Sequence, residues 1–460
     1  MNHAELNHWS KWAADWITEY HAGLRDRPVR SPHEPGWLAA QLPETPPEAA
    51  QDPAQIMADF EALVPEAMTH WQHPRFFAYF PANAAPASML AEQLANGIAA
   101  QAMLWQTAPA ATEMETRMVD WLRQAVGLPA GFQGTLHDSA TTGTLSAILT
   151  MRERALNWQG NQQGLIGTQR LRIYCSDQTH SSIDKGVRIS GIGQDNLVKI
   201  TTDDSLSMCP KALRAAIETD LTAGHKPAGL VLATGGTSVG GSDTIAPLIA
   251  VAKEFDLYTH VDAAWAGSAM ICPEFRSLWS GVEGADSIVM NPHKWLGAQF
   301  ECAVQFLADP KPQIRTLGLR PDYLETLGQD EITDYNEWTV PLGRKFRALK
   351  LWFLIRAYGL DGLRQRIRNH VTWARELCAE IDRMPDFEIV TQPILSLFTF
   401  AMANDAQTEA LLRKINEDGR VYLTQTRHRG RFVIRVQVGQ FDCTRDDVME
   451  ILTVLADLTG

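Results

Sequence analysis

Short β-rich runs alternate with amphipathic helical patterns between about residues 85 and 350, and this alternation constrains the fold more than any other feature. Helical patterns such as PKALRAAIETDL (210–221) and TIAPLIAVAKEF (244–255) separate several of the runs. Such an order predicts an α/β domain with a mostly parallel sheet and helices on its faces. The candidate strands are LRIYCS (171–176), NLVKIT (196–201), GLVLAT (229–234), LYTHVDA (257–263), DSIVMN (286–291) and CAVQFLA (302–308).

The chain on either side of this region has other patterns. Aromatic residues at helical spacing predict an N-terminal helix, and the Pro-rich stretch from Pro28 to Pro53 predicts an extended connector. The helix needs a covering surface, which the same chain or a second subunit can supply. After about residue 350, the helical pattern LKLWFLIRAYG and the period-2 strand RFVIRVQVG predict a smaller α+β domain. The helical stripe consists of Trp9, Trp12, Trp16, Tyr20 and Leu24.

The composition disfavours nucleic acid and membranes as partners. Lys and Arg number 41 and Asp and Glu number 54 in 460 residues, so the net charge is −13 at pH 7 and charge-driven binding to nucleic acid or membranes is disfavoured. No apolar run reaches the roughly 18 residues of a membrane span, and the N-terminus lacks the apolar core of a signal peptide. Scattered cysteines without a C-x-x-C pair predict small buried side chains in a reducing cytoplasm, with no zinc site. They are Cys175, Cys209, Cys272, Cys302, Cys378 and Cys443.

Polar side chains of three kinds lie at the ends of candidate strands. Asp262 lies near the end of LYTHVDA, Lys294 follows DSIVMN, and His180 follows LRIYCS. Because ligands bind beyond the carboxyl ends of parallel strands, we expect these residues to meet at one sheet edge. A partly desolvated lysine is an amine nucleophile, and a buried carboxylate can hold a protonated ring nitrogen. Lysine with aspartate is the minimal set for binding pyridoxal phosphate.

The segment HDSATTGTLSAI (137–148) offers a site for the phosphate of such a cofactor. Its small hydroxyl residues run into a helical pattern, where Ser139, Thr141 and Thr142 can cap the first turn and present backbone amides to an anion. A run of this kind in isolation is most often an ordinary helix cap. Its interpretation as a phosphate site depends on the presence of Lys294 and Asp262.

Long ordered motifs are spread over nearly the whole chain. They are EPGWL (34–38), FFAYFP (76–81), SDQTHSS (176–182), HVDAAWAGSAMICPEFR (260–276), NPHKWL (291–296), and ITDYNEW followed by PLGRKFRALKLWF (332–353). Together with the Trp-rich start, these motifs resemble the aromatic-L-amino-acid decarboxylases, which are group II pyridoxal-phosphate decarboxylases.

The resemblance implies the fold and the assembly. The fold would be that of aspartate aminotransferase (PLP fold type I), with pyridoxal 5'-phosphate as the cofactor and a homodimer as the assembly. Residues 1–84 would be a helical and extended segment that packs on the dimer partner. Residues 85–349 would be the large PLP-binding domain, and residues 350–460 the small C-terminal domain.

The resemblance also implies a role for each matching residue. Lys294 would carry the cofactor on its amine, Asp262 would pair with the pyridine nitrogen, and His180 would stack on the ring and take part in proton transfer. Tyr323, in RPDYLETLGQDEITDY, matches the catalytic-loop tyrosine of the family. The remaining cofactor contacts would come from Ser139, Ala140, Thr141, Thr234, Asn291 and His293.

The implied reaction removes the α-carboxylate of an aromatic L-amino acid and leaves an amine. Phe80, Met103 and Gly343 match positions of the substrate pocket, and glycine at 343 suits a bulky ring such as indole or catechol. Thr141 stands where many relatives have serine, and Ala82 where threonine is common. Tryptophan, tyrosine, dihydroxyphenylalanine and phenylalanine all stay open as substrates.

Position 323 bears on the product of the reaction. Relatives with tyrosine there resemble simple decarboxylases, whereas relatives with phenylalanine there tend to be oxygen-consuming aldehyde synthases. Tyr323 therefore predicts an amine as the main product. An aromatic acetaldehyde synthase is the alternative.

Two other classes are compatible with short motifs. GTSVG (236–240) fits G-x-S-x-G, so Ser238 followed by Asp262 and His293 has the residue order of an α/β-hydrolase, although several residues separate Ser238 from the next helical pattern. The segment RHRGRFVIR is basic and is compatible with a nucleic-acid-binding module. The negative net charge of the whole chain favours a strand surface that faces solvent or another subunit instead. Its arginines are Arg427, Arg429, Arg431 and Arg435.

Overall fold

The computed structural model describes residues 1–319 and 332–459. A seven-stranded sheet forms the larger part of the core. Its strands are β1 (Gln133–His137), β2 (Leu171–Ser176), β3 (Leu197–Ile200), β4 (Lys226–Ala233), β5 (Tyr258–Asp262), β6 (Ser287–Met290) and β7 (Ala303–Leu307). Their order across the sheet is β1-β7-β6-β5-β4-β2-β3, and every candidate strand of the sequence between 171 and 308 is present in it.

The prediction of a mostly parallel sheet is confirmed, with one exception. Strands β2 to β6 pair in parallel, whereas β7 runs antiparallel to both β6 and β1. No crossover helix lies between β6 and β7, so the chain turns back beside the strand it has just left. The sequence did not reveal this reversal, because all residues of β7 are buried and read like a central parallel strand.

Strand β1 was not predicted, since QGTLH contains few residues of high β-propensity. Its position depends on Gly134, where an added Cβ would collide with the backbone carbonyl of Gln305 on β7. Because β7 is antiparallel to β1 and β6, the carboxyl ends of β1 and β6 lie at the same edge of the sheet.

Helices cover both faces of this sheet, as the alternating pattern predicted. The buried strand residues Ile173, Val231 and Val261 are completely removed from solvent. The helices of this region are α3 (Pro86–Ile98), α4 (Pro109–Val126), α5 (Ala140–Ala155), α6 (Gly160–Gln163), α7 (Ser182–Ile189), α8 (Pro210–Thr222), α9 (Ile245–Glu254) and α10 (Lys311–Leu317). Cys209, which precedes α8, is partly exposed and departs from the expectation for the cysteines, while the other five are buried.

The C-terminal region is an antiparallel sheet with helices, as expected. Its strands β8 (Glu388–Ile394), β9 (Leu397–Ala401), β10 (Thr424–His428) and β11 (Arg431–Gln437) have the order β10-β11-β9-β8. The long helix α11 (Ala348–Asp382) leads into it and is interrupted at Gly359, whose φ is +61°. Helices α12 (Asp405–Asp418) and α13 (Arg445–Thr459) complete this region.

The aromatic N-terminal helix α1 (His3–Ala22) packs partly on its own chain. Trp12 and Trp16 contact Phe60 of helix α2 (Pro53–Leu63) edge-on, with ring centroids 6.4 and 4.9 Å apart. No residue of α1 is fully buried. None of the described helices is long and apolar enough to cross a membrane.

Candidate active site

The three polar residues expected at one sheet edge line a single cavity of about 220 Å³. Asp262 is the last residue of β5, Lys294 lies in a π-helical turn (Pro292–Leu296) after β6, and His180 follows β2. The cavity also contains Ser139 and Asn291. A π-helical turn of this kind is frequent at functional sites, and here it directs the lysine towards the cavity.

The environment of Lys294 favours a reactive amine. Burial is the largest cause that lowers its pKa to about 8; Asp262 acts in the opposite direction, and the charge of Arg435 adds to the lowering. Its Nζ lies 5.0 Å from the centroid of the Phe80 ring. A larger fraction of this amine is therefore unprotonated near neutral pH than for an ordinary lysine.

Asp262 is fixed at the end of its strand. Its Oδ1 accepts a 3.0 Å hydrogen bond from the backbone N–H of Ala264. Its own carbonyl accepts a 2.9 Å bond from the N–H of Thr234, the residue after β4. The carboxylate is thus oriented by the backbone and lies on the cavity wall, where it can hold a protonated nitrogen.

His180 is fixed by Ser182. The backbone N–H of Ser182 donates to Nδ1 of His180 at 3.1 Å, and the Ser182 hydroxyl lies 2.9 Å from the same atom. The proton of the neutral ring is consequently on Nε2. Although the side chain still meets solvent, loss of water around the ring lowers its pKa, and Asp262 offsets part of this effect.

The start of helix α5 forms an anion cradle at the same edge. Ser139 is its N-cap, with the hydroxyl accepting a 3.3 Å bond from the N–H of Thr142. Ala140 and Thr141 occupy the first turn, whose N–H groups have no partner within a helix. The hydroxyls, the free N–H groups and the helix dipole together suit a phosphate.

Two predicted cofactor contacts have polar atoms that are buried without a partner in the described part of the chain. They are Oδ1 of Asn291, which lines the cavity, and Oγ1 of Thr234, beside Asp262. Buried polar atoms of this kind are normally hydrogen-bonded. With the lysine, the carboxylate and the anion cradle, they fit pyridoxal phosphate.

His293 lies behind Lys294. Its Nδ1 accepts a 2.9 Å bond from the backbone N–H of Cys302, so the neutral ring carries its proton on Nε2. Burial, followed by the charge of Lys294, lowers the pKa of His293 to about 3. The imidazole is therefore a neutral donor at physiological pH.

A second and larger cavity of about 660 Å³ adjoins the first, since Phe80 and Lys294 line both. Most of its other walls are apolar or aromatic. They include Trp71, Pro81, Ala82, Met89 and Phe300.

The predicted substrate residues are not all in this region. Phe80 is, whereas Met103 and Gly343 line neither cavity, and Gly343 instead borders a small space beside Arg344 and Arg347. Tyr323 lies outside the described residues.

Two residues at the site were not predicted for it. Trp265 is buried with its ring stacked on Phe80, at a centroid distance of 4.6 Å. Arg435 belongs to the basic segment, yet it is buried. Its Nε donates to the carbonyl of Thr237 at 3.0 Å, and its guanidinium lies 4.6 Å from the centroid of the Phe80 ring. Period-2 alternation places Arg435 on the face opposite Ile434 and Val436, so nothing in the sequence indicated that this face is also buried.

The structure provides no support for the serine hydrolase. Helix α9 begins at Ile245 and not at Ser238, so no nucleophile elbow is formed. The Nδ1 of His293 is already engaged by Cys302.

The basic segment is largely neutralised within the chain. Arg427, Arg429 and Arg431 form ion pairs with Asp405, Asp204 and Glu388, respectively. Among the described residues, no group of His, Cys, Asp and Glu could hold a metal ion.

Comparison with known proteins gives a consistent assignment. The model of the pyridoxal-dependent decarboxylase conserved domain matches residues 35–403. The 4-hydroxyphenylacetaldehyde synthase of Rhodiola rosea is 37% identical over 95% of this chain and 92% of its own length. The aromatic-L-amino-acid decarboxylase of Rattus norvegicus is 37% identical over 95% of this chain and 94% of its own. The crystal structure of Oryza sativa TDC with PLP and tryptamine superposes with a TM-score of 0.96 at 31% identity, covering 100% of this chain and 98% of that one.

Proposed function

This chain belongs to the pyridoxal-dependent decarboxylase family, and from this membership we propose that it converts an aromatic L-amino acid to the corresponding amine and carbon dioxide. The enzyme is a carboxy-lyase of PLP fold type I that uses pyridoxal 5'-phosphate. When bound, this cofactor supplies an electron-accepting ring that stabilises the electron pair left by the departing carboxylate.

The observation that carries the aromatic assignment is the apolar cavity beside Lys294. Its volume of about 660 Å³ and its walls of Trp71, Phe80 and Phe300 suit an aromatic ring. The relatives support the same assignment, because a decarboxylase of aromatic amino acids and a structure holding tryptamine are among them.

The residues of the first cavity would each perform one task. Lys294 provides the amine that carries the cofactor, and its lowered pKa eases exchange with the substrate amine. Asp262 holds a proton on the pyridine nitrogen. Ser139, Ala140 and Thr141 would bind the phosphate, with the amide nitrogen of Asn291 as a further donor. His293, which lines the second cavity beside Lys294, would donate from Nε2.

His180 and Tyr323 would manage the position and the protons of the substrate. Because the neutral His180 has its proton on Nε2, it can donate from that atom while covering the ring. The phenol of Tyr323 would return a proton to the α-carbon, and this step yields the amine. Without such a proton, reaction with oxygen and water gives an aldehyde, ammonia and hydrogen peroxide besides carbon dioxide.

The aldehyde synthase is the second candidate, because the Rhodiola rosea relative is as similar to this chain as the rat decarboxylase. The hydroxyl at position 323 favours the amine. Purified enzyme supplied with the common L-amino acids and dihydroxyphenylalanine tests both proposals when amine, aldehyde and peroxide are measured. Reaction with glutamate or diaminobutyrate alone would contradict the aromatic assignment, and stoichiometric peroxide would favour the synthase.

A homodimer is part of the proposal. Leu90, Leu94 and Ile98 form an apolar stripe on α3 with 51%, 48% and 62% of their surface exposed, and such a stripe calls for a cover. Met103 and Gly343 lie outside both cavities, and in the proposed dimer they would serve the substrate of the second copy.

The free cysteines support a cytoplasmic location. The division into residues 1–84, 85–349 and 350–460 belongs to the same proposal.

A further inference from the structure

The turn after the Lys294 segment forms the outer wall of the aromatic cavity. Phe300 projects from this turn with 58% of its surface exposed, and its ring meets His293 edge-on at a centroid distance of 4.9 Å. An exposed ring of this kind keeps its place only if the backbone that carries it is fixed.

A buried ammonium group fixes the backbone on both sides of Phe300. Lys350, on α11, has 1% of its side chain exposed. Its Nζ donates to the carbonyl of Gln299 at 3.3 Å, to the carbonyl of Glu301 at 3.1 Å, and to Oε2 of Glu92 at 2.7 Å. An ammonium has three donors, so all of them are used.

Further bonds hold the same turn. The N–H of Gln299 donates to the hydroxyl of Ser88 at 2.7 Å, and Arg347 donates to the carboxylate of Glu301 at 2.5 Å. Ser88 and Glu92 both lie on α3, one turn apart. Helix α3, helix α11 and Arg347, the residue before α11, therefore hold the turn together.

The energetics indicate a role in positioning. A buried ion pair contributes little to stability compared with well-packed apolar side chains of similar volume, because desolvation offsets much of the attraction. What apolar side chains could not provide is the bond to each of the two carbonyls flanking Phe300. The charge of Lys350 also helps to keep His293 neutral, after the larger effects of burial and Lys294.

We propose that Lys350, with Glu92, is a positioning residue that fixes Phe300 as a wall for the substrate's aromatic ring and so sets how tightly that ring is held. The inference rests on the proposed aromatic function and names a determinant of its specificity. Lys350 acts through Phe300 and touches no reacting atom in this scheme.

The test compares Lys350→Met/Glu92→Gln, Phe300→Ala and the triple variant as dimeric holoenzymes. The double substitution avoids leaving a buried carboxylate without its cation. We expect the KM for tryptophan and the dissociation constant of the unreactive 3-indolepropionate to rise about tenfold in the double variant, with kcat changed less than about threefold. The triple variant should equal Phe300→Ala, since both changes remove the same wall.

Other results would overturn the inference. Unchanged constants in the double variant, effects that multiply in the triple variant, or a loss confined to kcat would each show that Lys350 does not act through Phe300. Where the wild type prefers tyrosine, dihydroxyphenylalanine or phenylalanine, that substrate and its analogue without the amino group replace tryptophan and 3-indolepropionate. If the wild type acts on none of these aromatic amino acids, the proposed function fails first and the inference fails with it.

Two further variants guard against misfolding and general damage. Ser88→Ala removes the single hydrogen bond from the N–H of Gln299 to the Ser88 hydroxyl. It should raise the KM and the dissociation constant about threefold, and it should have no effect in a Phe300→Ala background. Should the double variant not fold, absence of this effect overturns the inference. Arg172→Met/Asp220→Asn removes another largely buried ion pair, whose residues line neither cavity, and should leave both constants unchanged.

Discussion

The Nζ of Lys294 lies 5.0 Å from the centroid of the Phe80 ring, while the guanidinium of Arg435 lies 4.6 Å from the same ring. The aromatic face favours the ammonium form of Lys294. Burial and the charge of Arg435 oppose it and lower the pKa of Lys294 to about 8. The surrounding protein thus lowers the pKa of Lys294 even in the absence of a cofactor.

This balance predicts the pH dependence of Lys294 in enzyme stripped of cofactor. Only the neutral amine reacts with an acylating reagent, so labelling should rise with pH and level off above about 8, whereas an ordinary lysine continues to gain reactivity towards 10.5. Peptide mapping by mass spectrometry measures the labelling, with a short lysine peptide as the reference. A midpoint near that of the peptide would show that burial does not act on this amine.

Lys294 should also be the site of cofactor attachment. Purified enzyme should be yellow, and borohydride should fix the cofactor to this residue. Lys294→Ala should abolish turnover, because both the attachment and the exchange with the substrate amine are lost. Mapping of the reduced adduct to any other lysine would refute the assignment.

Asp262→Asn should slow decarboxylation about a hundredfold or more while leaving the fold intact. The amide keeps an oxygen for the N–H of Ala264 but has no charge to hold a proton on the ring nitrogen. Single-turnover kinetics and circular dichroism check the two parts, and Asp262→Glu is the control that keeps the charge. Near-normal turnover of the asparagine variant would mean that another group holds this proton.

Tyr323→Phe should shift the product from amine towards aldehyde. The phenylalanine removes one hydroxyl and so removes the proposed proton donor to the α-carbon. Amine, aldehyde, peroxide and oxygen uptake are measured on the same sample. Unchanged amine formation in the variant would rule out Tyr323 as that donor.

Glu115→Ala should destabilise the enzyme by about 3–5 kcal/mol. The buried carboxylate of Glu115 pairs with Arg344 and accepts bonds from the Thr135 hydroxyl at 2.8 Å and the Leu136 N–H at 2.7 Å. Denaturant unfolding at fixed protein concentration measures the effect. Glu380→Ala, which breaks an exposed pair with Arg383, should cost no more than about 1 kcal/mol.

Much of the fold could be predicted because periodicity is a local property. The strands that carry His180, Asp262 and Lys294 have apolar runs bounded by helical patterns, and the sheet edge that unites these residues follows from parallel pairing. The direction of β7 could not be predicted, since a fully buried strand has the same pattern in either orientation. Strand β1 was missed because its place depends on the close approach of Gly134 to β7.

Some residues of the site could be predicted from the sequence and others could not, because long-range contacts leave no local pattern. Lys294 and Asp262 are charged residues at strand ends, which makes them recognisable as site candidates. Trp265 is typical of the hydrophobic core, and only its contact with Phe80 shows that it lies at the site. For Arg435 the sequence was misleading. The arginines near it suggested that it lies on the protein surface, whereas it is buried. The support of Phe300 by Lys350 joins distant parts of the chain and leaves no local pattern.

The pairing of β1 with β7 has a consequence for biosynthesis. Gln133 lies opposite Leu307 in this ladder, and among the described strands β7 is the sole partner of the strand that precedes the anion cradle, so this pairing requires synthesis past residue 307. The lysine turn follows β6, and β7 pairs with both β6 and β1. The strand that joins the lysine turn to the cradle across the sheet is therefore synthesised after both.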